Sequence, residues 1–332
     1  MRMRQAIAEA MAYELASDPR VVLMGEDVGA AGGVFKTSDG LLDQFGPERV
    51  RDTPISELGF LGAAVGAAMG GLRPIIEIMF LDFLGVALDQ LVTQAAKIRF
   101  LSQGQYTAPL VVRGSGGSGL GYAAQHSQSV EPWLLSTPGL KIAVASGSFT
   151  ASGLLHAAVR DPDPVVVVEP RVLYSAWEDF DPDESRTIRL GRARQLRHGD
   201  DVTLVALGAT VGPAVEAADV GAFSADVFDL MSLKPMDLMT VDRSVGRTGR
   251  LVIVEDGPFT GGWGATLAAG VASSHFGRLH APVLRVTGPD APVPYAENLE
   301  RLMTPRGPDI VTQVTDLLKT AQVPQPWWSH DR

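Results

Sequence analysis

The sequence has no cysteine and a single asparagine, Asn298, among 332 residues. The first absence excludes a disulfide framework, a thiolate metal site and a thiol nucleophile, and is compatible with a reducing cytoplasm, the expected location. Long runs of Lys and Arg are also missing, and the formal net charge is -10 with a pI of about 5.1. An acidic chain without a basic stripe lacks the electrostatic footprint for a phosphate backbone, so nucleic acid is not an expected partner. The longest apolar stretch, Leu58 to Leu72, is bounded by Glu57 and Arg73 and is shorter than a bilayer requires. Met1 to Asp18 carries Glu9 and Glu14 within its apolar pattern and reads as an amphipathic helix rather than a secretory segment; no membrane association is expected.

What is present is a regular alternation. Short apolar runs at Val21–Met24, Ile75–Phe80, Leu110–Val112, Ile142–Ala145 and Val165–Val168 are separated by helical stretches such as Asp82–Ser102 and Thr150–Arg160. Continuous apolar strands between helices predict a parallel sheet buried on both faces. Periodicity lapses from Tyr174 to Asp201, a stretch of Pro, Asp, Arg and Ser, and then resumes. Strands are expected at Val202–Leu207, Ala225–Leu230, Leu251–Val254 and Val283–Val286, with helices near Val211–Val220, Gly264–Phe276 and Asp309–Lys319. The predicted fold is α/β, two doubly wound domains, the first over residues 1–185 and the second over 186–332.

Chemistry in such sheets lies beyond the carboxyl ends of the strands. Gly25-Glu26-Asp27-Val28-Gly29 follows the first strand, where a strand-end turn explains its glycines. Glu57 closes Arg-Asp-Thr-Pro-Ile-Ser-Glu and opens a helix with Gly62, Gly66 and Gly70 at spacings of four, so that another helix can approach closely. Desolvation at such a seam favours a protonated carboxyl and a helix N-terminus favours the anion; residue order does not decide between them. His126 stands in Gln-His-Ser-Gln-Ser after the glycine-rich stretch Gly114 to Gly121. A pliable loop carrying an imidazole suits proton transfer near neutral pH, although a hydrogen-bonded structural histidine fits the same pattern. The loop lacks the Lys-Ser/Thr ending of a P-loop, and the first strand is not followed by Gly-x-Gly-x-x-Gly, which argues against a nucleotide binder.

Taken together, GEDVG (25–29), RDTPISE (51–57), DQLVTQAAKIR (89–99), QHSQS with Glu131 and Trp133, PGLKIAV (138–144), GLLHAAVRDPDPVVVVEP (153–170), TGRLVIVED (248–256) and GGWGA (261–265) resemble one family over almost the whole chain. That family is the β subunit of the thiamine-diphosphate-dependent 2-oxo acid dehydrogenases, which serves pyruvate, branched-chain 2-oxo acid and acetoin dehydrogenase complexes. The resemblance implies a transketolase-like fold, with a pyrimidine-binding domain followed by a transketolase C-terminal-like domain. It implies that Glu57 bonds the cofactor's pyrimidine ring and promotes the tautomer that deprotonates the thiazolium carbon, whose ylid attacks the 2-oxo acid. By the same carry-over His126 assists proton transfer and reductive acylation of a lipoyl group, and Phe83 packs near the cofactor, although a core aromatic would equally explain Phe83.

The class holds its diphosphate and Mg²⁺ with Gly-Asp-Gly and a downstream Asn pair. This chain has no Gly-Asp-Gly and one asparagine, so the resemblance implies an α subunit that supplies the Mg²⁺ site, an α2β2 heterotetramer and a lipoylated acyltransferase as the acyl acceptor. A structural K⁺ held by carbonyl oxygens of Leu110, Ala158, Val159, Asp161 and Asp163 is implied in the same way, and hard cations prefer oxygen. Ala145 to Thr150 departs from the proline-bearing turn of many relatives, and Ile78 to Phe83 looks closer to acetoin dehydrogenase β subunits. The alternatives that stand beside a 2-oxo acid dehydrogenase are an acetoin-cleaving β subunit, a specialised-pathway carboligase or decarboxylase subunit, and a non-catalytic scaffold subunit.

Overall fold

The structure is a computed structural model in which residues 1–329 are described. It divides into two compact units, the first comprising Met1–Gly116 and Trp133–Leu190, the second Gly117–Pro132 and Gly191–Arg332. The segment 117–132 thus associates with residues from Gly191 onward rather than with its chain neighbours, which no single boundary in the sequence can express.

In the first unit the strands are β1 (Val21–Gly25), β2 (Val50–Asp52), β3 (Arg73–Phe80), β4 (Val111–Gly116), β5 (Lys141–Val144) and β6 (Val165–Pro170). They run parallel in the order β5-β6-β4-β3-β1-β2. The strand interiors Val21–Leu23, Ile75–Ile78 and Val165–Val168 are buried, as near-continuous apolar strands between two helical layers must be. β2 escapes a periodicity search because it is three residues long and two of them are charged. Gly114 is required by packing, since a Cβ there would lie 1.9 Å from the Ile78 carbonyl oxygen.

The Met3–Ser17 helix lies against the Ser148–Arg160 helix. Glu14 turns inward from it, and its Oε1 meets His156 Nδ1 and Arg160 Nη2, each at 2.6 Å. Burial opposes that charge, but the bonds from His156 and Arg160 outweigh it and hold the Glu14 pKa below its ordinary value. The stretch expected as one helix from Asp82 to Ser102 is instead a 3₁₀ turn (Leu81–Phe83), an α-helix (Leu84–Leu88), a π-helical segment (Asp89–Ala95) and a second α-helix (Ala96–Leu101). Propensity does not encode such changes of winding; the α and π segments both lie against the Glu57–Met69 helix.

In the second unit the strands are β7 (Arg194–Arg197), β8 (Val202–Ala206), β9 (Ala225–Asp229), a short β10 (Ser232–Lys234), β11 (Leu251–Pro258) and β12 (Leu284–Gly288). The sheet order is β12-β11-β8-β9-β7, with β7 antiparallel at the edge and the rest parallel. Its core joins Leu204, Val227 and Val252 to Ile310, Val314 and Trp327, and the Trp327 indole donates to the Thr287 carbonyl at 2.8 Å. No helix of the described residues is long and apolar enough to cross a membrane.

Candidate active site

The first sheet reverses direction of growth at β1, where β2 adds on one side and β3 on the other. In an open parallel sheet the crevice outside the carboxyl ends at such a switch point is the natural ligand site. Three segments leave the strands there. Glu26 follows β1, Thr53 and Glu57 follow β2, and Leu81–Phe83 follows β3.

Local bonding explains why these segments are ordered. The Asp52 carboxylate accepts the Gly29 N–H (2.6 Å) and the Ala30 N–H (3.1 Å), while the Thr53 N–H donates to the Gly25 carbonyl (3.0 Å). A side chain at residue 29 would crowd the Asp52 carboxylate, with its Cβ 2.8 Å from Oδ2. Ser38 and Thr37 tie the far limb of the same loop down, to the Val28 carbonyl (2.7 Å) and the Glu77 carboxylate (3.1 Å). The glycines of GEDVG therefore serve a loop that is bonded at several points, beyond the strand-end turn read from sequence.

Glu57 is the first residue of the Glu57–Met69 helix and is half-buried. Its charge, together with that of Asp27, adds to burial in raising the Glu26 pKa, burial being the largest cause. Glu26 Oε1 and Thr53 Oγ1 are buried and have no hydrogen-bond partner among the described residues. Buried polar atoms are rarely left so, and two of them at the carboxyl ends of adjacent strands mark a crevice suited to a polar occupant. Phe83 is half-buried and meets the Phe80 ring edge-to-face, with centroids 6.2 Å apart. The Arg171 guanidinium lies 4.9 Å from the Phe80 centroid, so the wall at the end of β3 is aromatic and cationic.

Beneath this crevice the sheet contains a buried charge network that sequence patterning does not reveal. Arg113 on β4 donates to both oxygens of Glu169 on β6 (2.6 Å each) and to Glu77 on β3, and the Tyr174 hydroxyl donates to Glu169 at 2.7 Å. All three charged side chains are at most 2% exposed. Burial alone would lower the Arg113 pKa; the Glu169 and Glu77 charges outweigh it and hold the group well above its usual value. The sequence signal is a charged residue within each of three strands, Glu77, Arg113 and Glu169.

His126 stands elsewhere in the organisation of the chain. It is half-buried in the segment 117–132, which belongs to the second unit, whereas Glu57 and Phe83 belong to the first. Its backbone N–H donates to Ala123, which has a left-handed φ of 58°. Glu131, a few residues further on, is 9% exposed, and burial, with the Asp256 and Glu255 charges, pushes its pKa up to about 7 against the bond from its own N–H.

The carbonyl set Leu110, Ala158, Val159, Asp161 and Asp163 lies at the amino ends of β4 and β6, the opposite edge of the sheet from Glu57. The Leu110 oxygen accepts from Val165 N (3.0 Å), and that of Ala158 from Asp161 N (3.2 Å). Those of Val159 and Asp161 share Arg73 Nη1 at 2.7 and 3.2 Å, and Lys141 Nζ lies 2.7 Å from both Asp161 carboxylate oxygens. Arg73 thus bonds two of the five carbonyl oxygens, and Lys141 pairs with the Asp161 and Asp163 carboxylates beside them.

Two doubly wound units, the first with a carboxylate-lined crevice at its switch point, define the transketolase-like class. Residues 1–176 match the family model described as transketolase, pyrimidine binding domain, and residues 191–310 that of transketolase, C-terminal domain. Among solved structures the chain is similar to a split gene transketolase, an inactive beta4 tetramer, with a TM-score of 0.78 at 25% identity, covering 96% of this chain and 98% of that one. It also matches the fold of a transketolase mutant from Pichia stipitis, with a TM-score of 0.71 at 13% identity, covering 48% of that chain.

Closer in sequence is pyruvate dehydrogenase E1 component subunit beta-2, mitochondrial, of Oryza sativa subsp. japonica, 45% identical over 317 residues that cover 94% of this chain and 84% of the relative. The subunit beta of Rickettsia bellii (strain RML369-C) is 43% identical over 315 residues, covering 94% and 96%. The chain belongs to the family of pyruvate dehydrogenase E1 component β subunits.

Proposed function

We propose that this chain is the β subunit of a thiamine-diphosphate-dependent 2-oxo acid dehydrogenase, in which Glu57 activates the cofactor's pyrimidine ring and an α subunit holds its diphosphate and Mg²⁺. The observation that carries the proposal is the placement of Glu57 at the start of its helix, coupled to Glu26, beside two buried oxygens without protein partners. When bound, the cofactor supplies the electron sink for decarboxylation. Glu57 would hold a hydrogen bond to a pyrimidine nitrogen, Glu26 and Thr53 would line the ring's polar edge, and Phe83 would exclude water from its apolar face. Asp52 keeps the Glu26 loop in place through the Gly29 and Ala30 amides. His126 would move a proton during transfer of the acyl group to a lipoylated acyltransferase.

The surface of this chain supports the partner. Gly59, Ala63, Gly66 and Gly70 are exposed along one face of the Glu57–Met69 helix, and a Cβ at Gly66 would meet nothing within 4 Å. Ile55 is 86% and Leu58 46% exposed beside them. Gly62 differs, because a Cβ there would lie 3.0 Å from Gln90 Oε1 within the same chain. The face open to another subunit is therefore 59/63/66/70, a backbone-to-backbone approach flanked by apolar side chains.

Pyruvate is the first substrate to test, since the named relatives are pyruvate dehydrogenase components. The decisive experiment is Glu57→Gln in the assembly with its α subunit, assayed by pyruvate decarboxylation with an artificial electron acceptor and, in parallel, with acetoin. The loss expected is about 10²-fold or more, with assembly intact. Undiminished turnover would sink the assignment, and wild-type activity with acetoin alone would transfer it to the acetoin-cleaving branch.

A further inference from the structure

We propose that Glu300 is a positioning residue that clamps the glycine-rich loop carrying His126. The inference rests on the reading of His126 given above and concerns how that imidazole is held. Loop and clamp both belong to the second unit.

The loop is built from residues that resist ordering. Gly117, Gly119 and Gly121 have φ of +85°, +108° and +72°, in the left-handed region, and Ala123 follows at 58°. Glycine in these conformations is unstrained but entropically expensive to hold in one state. Something outside the loop must hold it, and the bonds that do so converge on two acids. Glu300, 5% exposed at the end of the Glu297–Glu300 helix, accepts the Gly119 N–H on Oε1 (2.8 Å) and the Gly121 N–H on Oε2 (2.9 Å). One carboxylate thereby engages two amides on the same limb, with charge-assisted bonds in a desolvated setting.

A second tie runs through Asp256. Thr304 Oγ1 donates to its Oδ1 (2.7 Å), the Ser118 hydroxyl pairs with Thr304 (2.9 Å), and the Ser129 hydroxyl donates to the Asp256 carbonyl on the far limb. The loop closes on itself through Gly117 N–H to Gln128 carbonyl at 3.3 Å. His126 lies between these anchors, two residues before Gln128. A side chain without rigid support would sample the loop's whole ensemble; with both limbs tied, it is presented in one place, which is what proton transfer at a fixed atom requires.

Glu300 touches no reacting atom in this account, so its effect must be read through the loop. The test uses the assembled enzyme with Glu300→Ala and with Glu300→Gln, which keeps the volume but can accept only one of the two amides. Hydrogen exchange is followed over residues 117–128 with and without cofactor. Loss of protection by about tenfold or more in that segment is expected for Ala, and less for Gln, with exchange elsewhere unchanged. The rate of reductive acylation of a lipoyl domain should fall in parallel, with cofactor affinity within about twofold of wild type. In a His126→Ala background the Glu300 substitutions should add almost nothing to the rate.

Unchanged exchange in both variants would overturn the clamp. Raised exchange with a wild-type acylation rate, or full additivity with His126→Ala, would overturn the positioning role. Failure of the parent reading looks different: His126→Ala alone would then leave acylation untouched and remove the catalytic consequence, whatever exchange shows. Should Glu300→Ala not assemble, the Gln variant carries the same comparison.

Discussion

Replacing Glu131 by Gln should change how the stability of this protein depends on pH, with a sign and size that follow from the site. Glu131 starts a short helix directly after the His126 loop and is 9% exposed. Burial disfavours its charge, and Asp256 and Glu255 add repulsion, so the carboxyl titrates at about 7 instead of 4.5. The folded protein holds this proton more tightly than the unfolded chain does. Its stabilising contribution is therefore complete below pH 4.5 and is lost as pH rises through about 7. The span between those values corresponds to about 3 kcal/mol. Glutamine keeps the shape of the protonated acid and cannot ionise. Relative to wild type, Glu131→Gln should thus gain about 3 kcal/mol of stability between about pH 4.5 and pH 8. Urea unfolding of both proteins at intervals across that range measures the difference, in which titrating groups remote from Glu131 are shared. A difference that stays constant with pH would show that Glu131 is ionised throughout, and would refute the argument from burial.

Three further outcomes are expected. Arg113→Met leaves Glu77 and Glu169 buried without their cation, and should lower unfolding free energy by about 3–5 kcal/mol in urea titration; a loss below about 1 kcal/mol would mean the network relaxes without cost. Because Arg73 and Lys141 already neutralise the turn around Asp161, the thermal midpoint should be the same in KCl as in NaCl at equal ionic strength; a rise specific to K⁺ would show that the ion competes successfully with Arg73. Gly66→Leu adds bulk where a Cβ would meet nothing within 4 Å beyond its own helix backbone, so it should leave the fold intact while abolishing co-elution with the α subunit on size exclusion, and a stable heteromer would refute the contact proposed for that face.

Much of the fold was legible in the chain. The runs at Val21, Ile75, Val165, Val202 and Leu251 became buried parallel strands because a largely apolar segment of four to six residues has few other fates between helices. Elements without that signal were not visible. β2 is too short, the antiparallel β7 (Arg-Gln-Leu-Arg) is a polar edge with no face to bury, and the Leu238–Thr248 helix follows directly on the turn that ends β10. At the site, Glu57 was legible through its motif and the helix it opens. Its neighbours Glu26 and Thr53 were not, because they come together only when β1 and β2 lie side by side.

By itself the sequence determined two α/β layers, an acidic chain without thiol chemistry, and a carboxylate opening a small-residue helix. These follow from local composition and period, which act over a few residues. Tertiary structure alone decided which carboxylates share a desolvated space, that Arg113 bridges two strands, and that Arg73 reaches the carbonyls of Val159 and Asp161. It also decided that the loop of His126 is bound by Glu300, far along the chain. Those facts depend on burial and on pairs distant in sequence, and both come into being only when the chain closes on itself.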